Sequence, residues 1–315
     1  MAPLRSLGNP DISSYDDVFC ATGKRYNHEY AVLTWYGDRG VFMGGYSGNT
    51  NTIDYITITS TGNATDFGDL NHSTRSTAPA SNGSRGLAMG GRSSSPGPDT
   101  FVDYITIGTA GNATDFGDTT TNAGQGYAAG ASNGTRALCA GGDHPGTVDI
   151  EYFTIATPGN GTDLADLSSA KYGLAGCSNG DRAVFGGSYS GGNPIDYKNF
   201  ETANAVDFGD LTVGRGYIGS GQSTPGGRGF WSGGNGNDTI DYVTIATTGN
   251  ATDFGDSSGQ THSTSATSND TRGVIGGSGT TDNQIRYITI ATTGNSTDFG
   301  DLTVGRGYIG ATSGD

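Results

Sequence analysis

The residues of this chain whose types could do chemistry are its histidines, its cysteines and its recurring aspartates and arginines. The four histidines lie in unrelated contexts, without the HExxH pattern or a His/Cys pair at zinc-ligand spacing: His28, His72, His144 and His262. Three cysteines in 315 residues are too few for a disulfide framework, so we expect reduced thiols at Cys20, Cys139 and Cys177. Neither set predicts a catalytic site.

Aspartates recur in pairs within the segment DFGD, as in Asp66 with Asp69 and Asp298 with Asp301. Calcium prefers several carboxylate oxygens, and such pairs could supply them. Calcium loops, however, place their ligands at alternate positions, whereas Phe-Gly separates the two acids here. We therefore predict no metal site and no cofactor, with calcium at these turns left open as an alternative.

The DFGD segment belongs to an internal repeat, and repeats decide the fold. Six segments resemble IDYITITSTGNATDFGDL, and their tyrosines are 49, 48, 45, 45 and 45 residues apart: Tyr55, Tyr104, Tyr152, Tyr197, Tyr242 and Tyr287. A second block, such as DRGVFMGG, recurs in phase and carries one arginine per unit: Arg39, Arg85, Arg136, Arg182, Arg228 and Arg272. A functional site is normally singular, so we predict that these arginines are structural and bond a carboxylate or a carbonyl within or between units.

Each unit has the pattern of four short strands, because alternating β-branched and aromatic residues are bounded by Gly and Asn turns. A period of about 45 residues with four strands is typical of a propeller blade. We therefore predict an all-β fold, a six-bladed β-propeller with four-stranded antiparallel blades. The predicted organisation is an N-terminal arm at 1–29, the propeller at 30–302 and a C-terminal closing strand at 303–315.

The closing strand is predicted from a partial seventh repeat. GRGYIGATS, from Gly305, resembles the GRGYIGSGQS that opens the fifth unit at Gly214. Unpaired sheet edges are normally covered. We expect this strand to pair at the blade that contains residues 30–35 and so close the ring, or else to add to a neighbouring subunit.

The repeats resemble the kelch propeller family, most closely in KRYNHEYAVLTWYGDRGVFMGG from Lys24 to Gly45, with its Arg, nearby His, two apolar strands and glycine pair. Later kelch landmarks match Tyr55 with Phe67, although Phe replaces the usual Trp and Leu164 replaces the aromatic residue in the third unit. This resemblance implies a kelch-like propeller. The segment YITIATTGNATDFGDL is also similar to repeat proteins in the virions of tailed phages, particularly those of marine hosts, which implies a virion protein.

The charge balance excludes several classes of partner. With 31 acidic and 16 basic residues, the net charge is -15, which opposes binding to nucleic acid or to anionic membranes. No stretch approaches the roughly 18 apolar residues of a membrane span, so we expect no membrane insertion. The predicted partners are other virion proteins or a host surface receptor, a glycan included, and homo-oligomer formation stays open. The predicted location is the virion after synthesis in the host cytoplasm, with the cytoplasm as the alternative.

The function that these patterns favour is that of a non-enzymatic virion structural or host-attachment protein of a tailed phage. The alternatives are a cellular kelch-like interaction module and, less favoured, a carbohydrate-active propeller enzyme. Binding residues are expected where the units differ. The insertion RSSSPGPDTF in the second unit contributes Ser94, Pro96 and Asp99, and the first unit has Trp35 and Tyr36 in place of Ser-Asn. Exposed aromatic residues commonly anchor partners.

Overall fold

The computed structural model describes residues 15–19, 25–29, 37–93, 99–120, 126–142, 145–190, 192–201, 203–222 and 227–314. The chain forms two compact units, Met1–Thr34 and Trp35–Asp315. In the first unit, strands β1 (Tyr15–Phe19) and β2 (Arg25–Glu29) pair as an antiparallel hairpin.

The second unit confirms the predicted fold, an all-β ring of six blades with four antiparallel strands each. Within the described ranges, no helix is long and apolar enough to cross a membrane. From the channel outward, the strands of each blade are as follows. Blade 1 has β26 (Gly310–Gly314), β3 (Arg39–Gly45), β4 (Thr50–Thr57) and β5 (Thr65–Asp69). Blade 2 has β6 (Ala78–Ser81), β7 (Arg85–Gly91), β8 (Asp99–Thr106) and β9 (Thr114–Asp118). Blade 3 has β10 (Ala129–Ser132), β11 (Arg136–Ala140), β12 (Thr147–Thr154) and β13 (Thr162–Lys171).

The remaining blades follow the same order. Blade 4 has β14 (Ala175–Ser178), β15 (Arg182–Gly186), β16 (Pro194–Asn199) and β17 (Val206–Asp210). Blade 5 has β18 (Gly219–Gln222), β19 (Arg228–Ser232), β20 (Thr239–Thr244) and β21 (Thr252–Asp256). Blade 6 has β22 (Ser265–Ser268), β23 (Arg272–Ser278), β24 (Asp282–Thr289) and β25 (Thr297–Asp301).

Burial decreases from the second strand of a blade to its outermost strand. In β3, every residue after Arg39 is buried, because neighbouring blades cover both faces of the sheet. In the outermost strand β5, only Phe67 is buried. The apolar run in the RGVFMGG block and the single apolar residue of the DFGD block therefore reflect their distance from the ring's axis.

The apolar core consists of six clusters, and each joins two successive blades. Val41, Ile53 and Phe67 of blade 1, for example, pack with Ile105 and Ile107 of blade 2. The sixth cluster joins blade 6 to blade 1, which makes the arrangement circular. The free thiols of Cys139 and Cys177 are buried within two of these clusters, whereas Cys20 lies outside the described residues.

The repeated arginines connect successive blades. Each guanidinium Nη1 donates a hydrogen bond of 2.8–2.9 Å to a main-chain carbonyl of the next blade, in the order Ile107, Ile155, Phe200, Ala246, Ile290 and Thr59. Each guanidinium also lies 4.2–4.9 Å from the ring centroid of the repeated tyrosine of its own blade. The acceptor is a carbonyl, one of the two kinds of partner expected from the sequence.

The DFGD segments also meet the next blade, through its TGN turn. The side-chain oxygen of Asn112 accepts a hydrogen bond of 3.1 Å from the main-chain N–H of Asp69, and the same bond recurs around the ring at 3.0–3.2 Å. Gly68 has a φ of 144°, and a Cβ there would lie 2.6 Å from the carbonyl carbon of Gly111. The glycine of DFGD is therefore required by the close approach of the neighbouring turn.

The ring is closed by the C-terminal strand. β26 pairs antiparallel with β3, and Ser313 lies opposite Gly40 just as Ser81 lies opposite Gly86 in blade 2. The strand thus takes the innermost place in blade 1, the place that the repeat pattern suggests for residues 30–35, which lie outside the described residues. Closure within the ring is the first of the two arrangements expected for this strand.

A buried ion pair fixes the segment that leads into β26. Arg306 and Asp54 are both fully buried, and Nη1 of Arg306 donates a 2.9 Å hydrogen bond to the carboxylate of Asp54. Nε of Arg306 also donates to the carbonyl of Gly44 at 2.8 Å. Removal of either residue would leave the other charge buried without a partner, which is strongly destabilising. The ion pair therefore holds the closing segment in place in addition to the hydrogen bonds between β26 and β3.

We predict that Arg85→Ala destabilises the propeller. The variant loses a charge-assisted hydrogen bond to Ile155 and the stacking on Tyr104, together worth about 2 to 3 kcal/mol. Thermal unfolding should show a midpoint lower by several degrees. Arg85→Lys keeps the charge without the planar guanidinium, so its melting temperature should lie between those of the parent and of Arg85→Ala. An alanine variant with the parent's melting temperature would contradict a structural role for the arginine.

We predict that a chain ending after Leu302 fails to form a cooperatively melting propeller, because blade 1 lacks its innermost strand and Asp54 lacks Arg306. A synthetic peptide of residues 303–315 added during refolding should restore the melting transition, as measured by circular dichroism. A scrambled peptide is the control. Cooperative melting of the truncated chain at the parent's temperature without peptide would refute this account of closure.

Candidate functional site

One end of the central channel is surrounded by tyrosines. Three of them stand two residues before an innermost strand, at equivalent positions in blades 3, 5 and 1: Tyr127, Tyr217 and Tyr308. Three more complete the group, from the segment before β14 and from the connections after β3 and β15: Tyr172, Tyr46 and Tyr189. We call these six residues the tyrosine cluster.

The rings of the tyrosine cluster contact one another across the channel end. Tyr217 has ring-centroid distances of 5.0 Å to Tyr127, 5.4 Å to Tyr308 and 4.7 Å to Tyr189. Tyr46 joins the cluster through Tyr308 at 6.4 Å. Tyr189 is the most open member, with 44% of its surface exposed. Residues from four blades thus form one aromatic surface.

Three of these tyrosines adopt a backbone conformation that is unusual for a bulky residue. Tyr127, Tyr217 and Tyr308 have φ values of 61°, 57° and 55°. The equivalent residues in the other blades are Ser76, Gly173 and Ser263, and they share this left-handed conformation. A non-glycine residue there costs about 1 kcal/mol or more, and such strain concentrates at functional sites.

Main-chain hydrogen bonds between neighbouring blades explain how the strained conformation is held. The N–H of Tyr127 donates to the carbonyl of Ser76, and that of Gly173 to the carbonyl of Tyr127. The same bond joins Tyr217 to Gly173, Tyr308 to Ser263 and Ser76 to Tyr308. These five bonds hold the backbone at the channel end without using side chains, so the side chains can differ from blade to blade.

Burial raises the pKa of two phenols in the cluster, those of Tyr217 and Tyr172. Burial, followed by the neighbouring phenols, raises the pKa of Tyr217 far above its usual value of 10. The pKa of Tyr172 is raised by the same causes. At physiological pH these groups act as neutral hydrogen-bond donors and acceptors with aromatic faces.

The channel beneath the cluster encloses a cavity of about 130 Å³. Tyr127, Tyr217 and Tyr308 line it together with residues of the innermost strands, and the lining side chains in the described ranges are all uncharged. At the far end, serine hydroxyls bridge successive blades. Ser81 donates to the carbonyl of Ser313, and Ser132 to that of Ser81, each at 2.6 Å.

The two faces of the ring differ in how closely the units repeat. On the face away from the tyrosine cluster, the third-to-fourth-strand turns have nearly constant length: 58–64, 107–113, 155–161, 200–205, 245–251 and 290–296. We call this the regular face. On the face of the cluster, which we call the variable face, the second-to-third-strand connections vary in length: 46–49, 92–98, 141–146, 187–193, 233–238 and 279–281.

Of the five predicted binding residues, the structure describes only Asp99. Trp35, Tyr36, Ser94 and Pro96 lie outside the described residues. Asp99 begins β8 and is 7% exposed, and its carboxylate accepts a 3.0 Å hydrogen bond from the hydroxyl of Thr74. The same blade carries an exposed stacked pair, His72 and Phe101, with ring centroids 3.8 Å apart. Asp99 is therefore committed to internal bonding.

The tyrosine cluster was missed in the sequence, although a signal was present. The tripeptide Gly-Tyr-Ile occurs twice, at Tyr217 and Tyr308, directly before an innermost strand. The similarity of these two segments predicts the closing strand, but it does not by itself predict that the two tyrosines meet. At the repeat position of Tyr217 and Tyr308, tyrosine alternates with serine or glycine from blade to blade. This alternation indicates a surface that differs between blades.

A buried acid lies one position before the repeated tyrosine in five of the six blades, whereas blade 6 has Arg286 at this position. Asp54, Asp196 and Asp241 pair with Arg306, Lys171 and Arg215 at 2.7–2.9 Å. Asp103 accepts bonds from the N–H and side-chain amide of Asn71 instead. No group of three or more histidine, cysteine or acidic residues suited to hold a metal ion is found in the portion that the structure describes.

Glu151 is the acid at this position in blade 3. In the repeat, position 125 corresponds to Arg306, Lys171 and Arg215, and it lies outside the described residues. Glu151 is 1% exposed, and its Oε2 accepts a 2.7 Å hydrogen bond from the N–H of Thr120, whereas Oε1 has no partner among the residues that the structure describes. Burial, with smaller contributions from Asp149 and Asp163, raises the pKa of Glu151 to about 7 despite the opposing bond from Thr120.

We predict that Glu151 makes the propeller less stable as the pH rises. Its pKa is about 4.5 when unfolded and about 7 when folded, so the folded state holds the proton more tightly. Its contribution to the free energy of unfolding is complete below pH 4.5 and is lost as the pH rises through 7, by at most about 3 kcal/mol. Denaturant unfolding at pH 5, 6, 7 and 8 should show that Glu151→Gln lacks this decline. Parallel curves for the parent and the variant would exclude the titration of Glu151.

Compared with known protein families and curated proteins, the chain matches no family model and no curated protein.

Proposed function

We propose that this chain is a non-enzymatic virion protein of a tailed phage, with a structural or host-attachment role, and that it binds its partner through the variable face. The observation that carries the binding role is the contrast between the two faces. Six similar units keep the regular face nearly constant, whereas the variable face collects the connections of unequal length and the tyrosine cluster.

The chemistry of the variable face supports a binding role. Tyrosine offers a large, rigid contact area with a polar tip and is enriched among residues that dominate binding energy. Tyr189, 44% exposed, lies at the edge of the cluster, where a partner can reach it.

The assignment to a phage virion rests on the resemblance of the repeated segment YITIATTGNATDFGDL to virion repeat proteins, and a kelch-like ancestry rests on the glycine pair and tyrosine landmarks of the units. The partners under this proposal are other virion proteins or a host surface receptor. The protein is made in the host cytoplasm and assembled into the particle. Its net charge of -15 favours partners other than nucleic acid.

Mass spectrometry of purified particles tests the virion assignment, and competition tests the binding face. We predict that the purified protein, added to host cells beforehand, reduces phage adsorption. Tyr189→Ala should lose most of this inhibition, because it removes the exposed ring of the variable face. Val206→Ala, at an equally exposed apolar residue that begins β17 on the side of the regular face, is the matched control.

Two results would overturn the proposal. Particles without the protein would remove the virion role, and equal inhibition by the parent and Tyr189→Ala would remove the variable face as the binding surface. A structural position inside the particle predicts the protein in particles with no inhibition of adsorption by the parent itself.

A further inference from the structure

The variable face is bordered by six aspartates, the second acid of each DFGD segment and its equivalent in blade 3. Each lies where an outermost strand leads into the connection to the next blade, and that connection ends beside the channel. All six are half-buried: Asp69, Asp118, Asp166, Asp210, Asp256 and Asp301. We call these residues the aspartate border. It surrounds the tyrosine cluster on the same face of the ring.

No described cation neutralises the aspartate border. The ion pairs within the described ranges use other acids. Of the six aspartates, only Asp118 accepts a hydrogen bond from a described side chain, at 3.3 Å from the hydroxyl of Thr100. Three cations of the same connections, Lys171, Arg215 and Arg306, are buried in pairs with acids outside the border. The border therefore offers negative charge to a partner.

The tyrosine cluster at the centre of this face is suited to cationic groups. A guanidinium within about 6 Å of a ring centroid is attracted by the negative face of the ring. Within the cluster, the guanidinium carbon of Arg75 lies 4.4 Å from the ring centroid of Tyr46. No described cation lies over the other five rings, and 44% of Tyr189 is exposed. An arginine of a partner can therefore reach aromatic surface here.

The charge of the chain selects among the possible occupants of this face. A second copy would bring the same aspartates, and two chains with a net charge of -15 repel each other. An anionic partner meets the same repulsion, and a neutral partner gains no attraction from the aspartate border. A partner with exposed arginines complements both the border and the tyrosine cluster.

We propose that the variable face binds a basic protein segment through its arginine side chains. One guanidinium packs on the tyrosine cluster at Tyr189, and others pair with the aspartate border, as at Asp210 and Asp301. Arginine suits both contacts, because its planar guanidinium stacks on aromatic faces and forms paired hydrogen bonds with carboxylates. The inference rests on the proposed binding role of the variable face and names the chemistry of the partner.

Fluorescence anisotropy with labelled peptides and the full-length protein tests this directly. The probe is a peptide of six arginines separated by Gly-Ser, and the comparison peptides carry six lysines or six glutamates instead. We expect the arginine peptide to bind at least about threefold more tightly than the lysine peptide, and the glutamate peptide not to bind. The affinity should fall as sodium chloride is raised, because exposed charges are screened.

The outermost strands supply matched control variants. Asp210→Asn with Asp301→Asn removes two charges from the aspartate border. Asp207→Asn with Asp298→Asn removes two exposed charges from the same strands, β17 and β25, at the end nearer the regular face. The two double variants have equal net charge, and both should melt near the parent's temperature. We expect the first to raise the Kd of the arginine peptide about fivefold and the second less than about twofold.

Tyr189→Ala tests the aromatic contact. It should raise the Kd of the arginine peptide about fivefold, because it removes the exposed ring of the cluster. Val206→Ala, at a similarly exposed residue on the side of the regular face, should leave this Kd unchanged.

The outcomes separate this inference from the proposed function. Weaker binding in the variable-face variants alone would support the inference. Equal weakening by the two double variants would show that binding follows net charge, and this would overturn it, as would a Kd unchanged by Tyr189→Ala. If Tyr189→Ala loses the inhibition of adsorption while Asp210→Asn with Asp301→Asn keeps it in full, the attachment function stands and the basic partner falls.

Discussion

The apolar side chains of this propeller pack between blades, so no blade has a core of its own. Each sheet is covered on both faces only when it has two neighbours, and the cluster that joins blade 6 to blade 1 is as necessary as the others. Burial of apolar surface is the largest favourable contribution to folding. The stability of each blade therefore depends on the closure of the ring.

The polar contacts of the blades follow from the same constraint. The repeated arginines, the asparagines of the TGN turns and the serines of the innermost strands all bond main-chain groups of an adjacent blade. Main-chain groups are available in every blade whatever its side chains, which is why one residue type can serve six times. The regular face is thereby tied together, while the variable face is held by its backbone and can change its side chains.

The periodicity of the sequence predicted the fold because a blade is a local pattern: strand lengths, turn residues and the repeated arginine are all written within about 45 residues. The kind of partner of Arg85 was predictable, since an arginine in every unit must meet something that every unit offers. The role of Asn112 was not, because its acceptor function depends on Asp69 of the preceding blade, and the sequence does not show how close the two blades approach.

The tyrosine cluster was harder to predict because its members are far apart in the chain. Tyr46 and Tyr308 meet only because β26 completes blade 1, and their proximity is a property of the closed ring. The sequence also did not show which of two segments, residues 30–35 or β26, takes the innermost place in blade 1. Residues 30–35 fit the repeat pattern, whereas the strand found there comes from the other end of the propeller. Pattern alone does not rank two segments that suit one site.

Because β26 comes from the C-terminal end of the propeller, blade 1 can be completed only late in translation. β3 leaves the exit tunnel with the first blade, but its inner neighbour is translated only after the sixth. Until then the nascent chain holds five blades with complete sheets and one that lacks a strand, beside an open apolar surface. Translation proceeds at about 5 to 20 residues per second, so this incomplete state lasts for many seconds in each molecule. A net charge of -15 would keep such nascent chains apart by mutual repulsion during that interval.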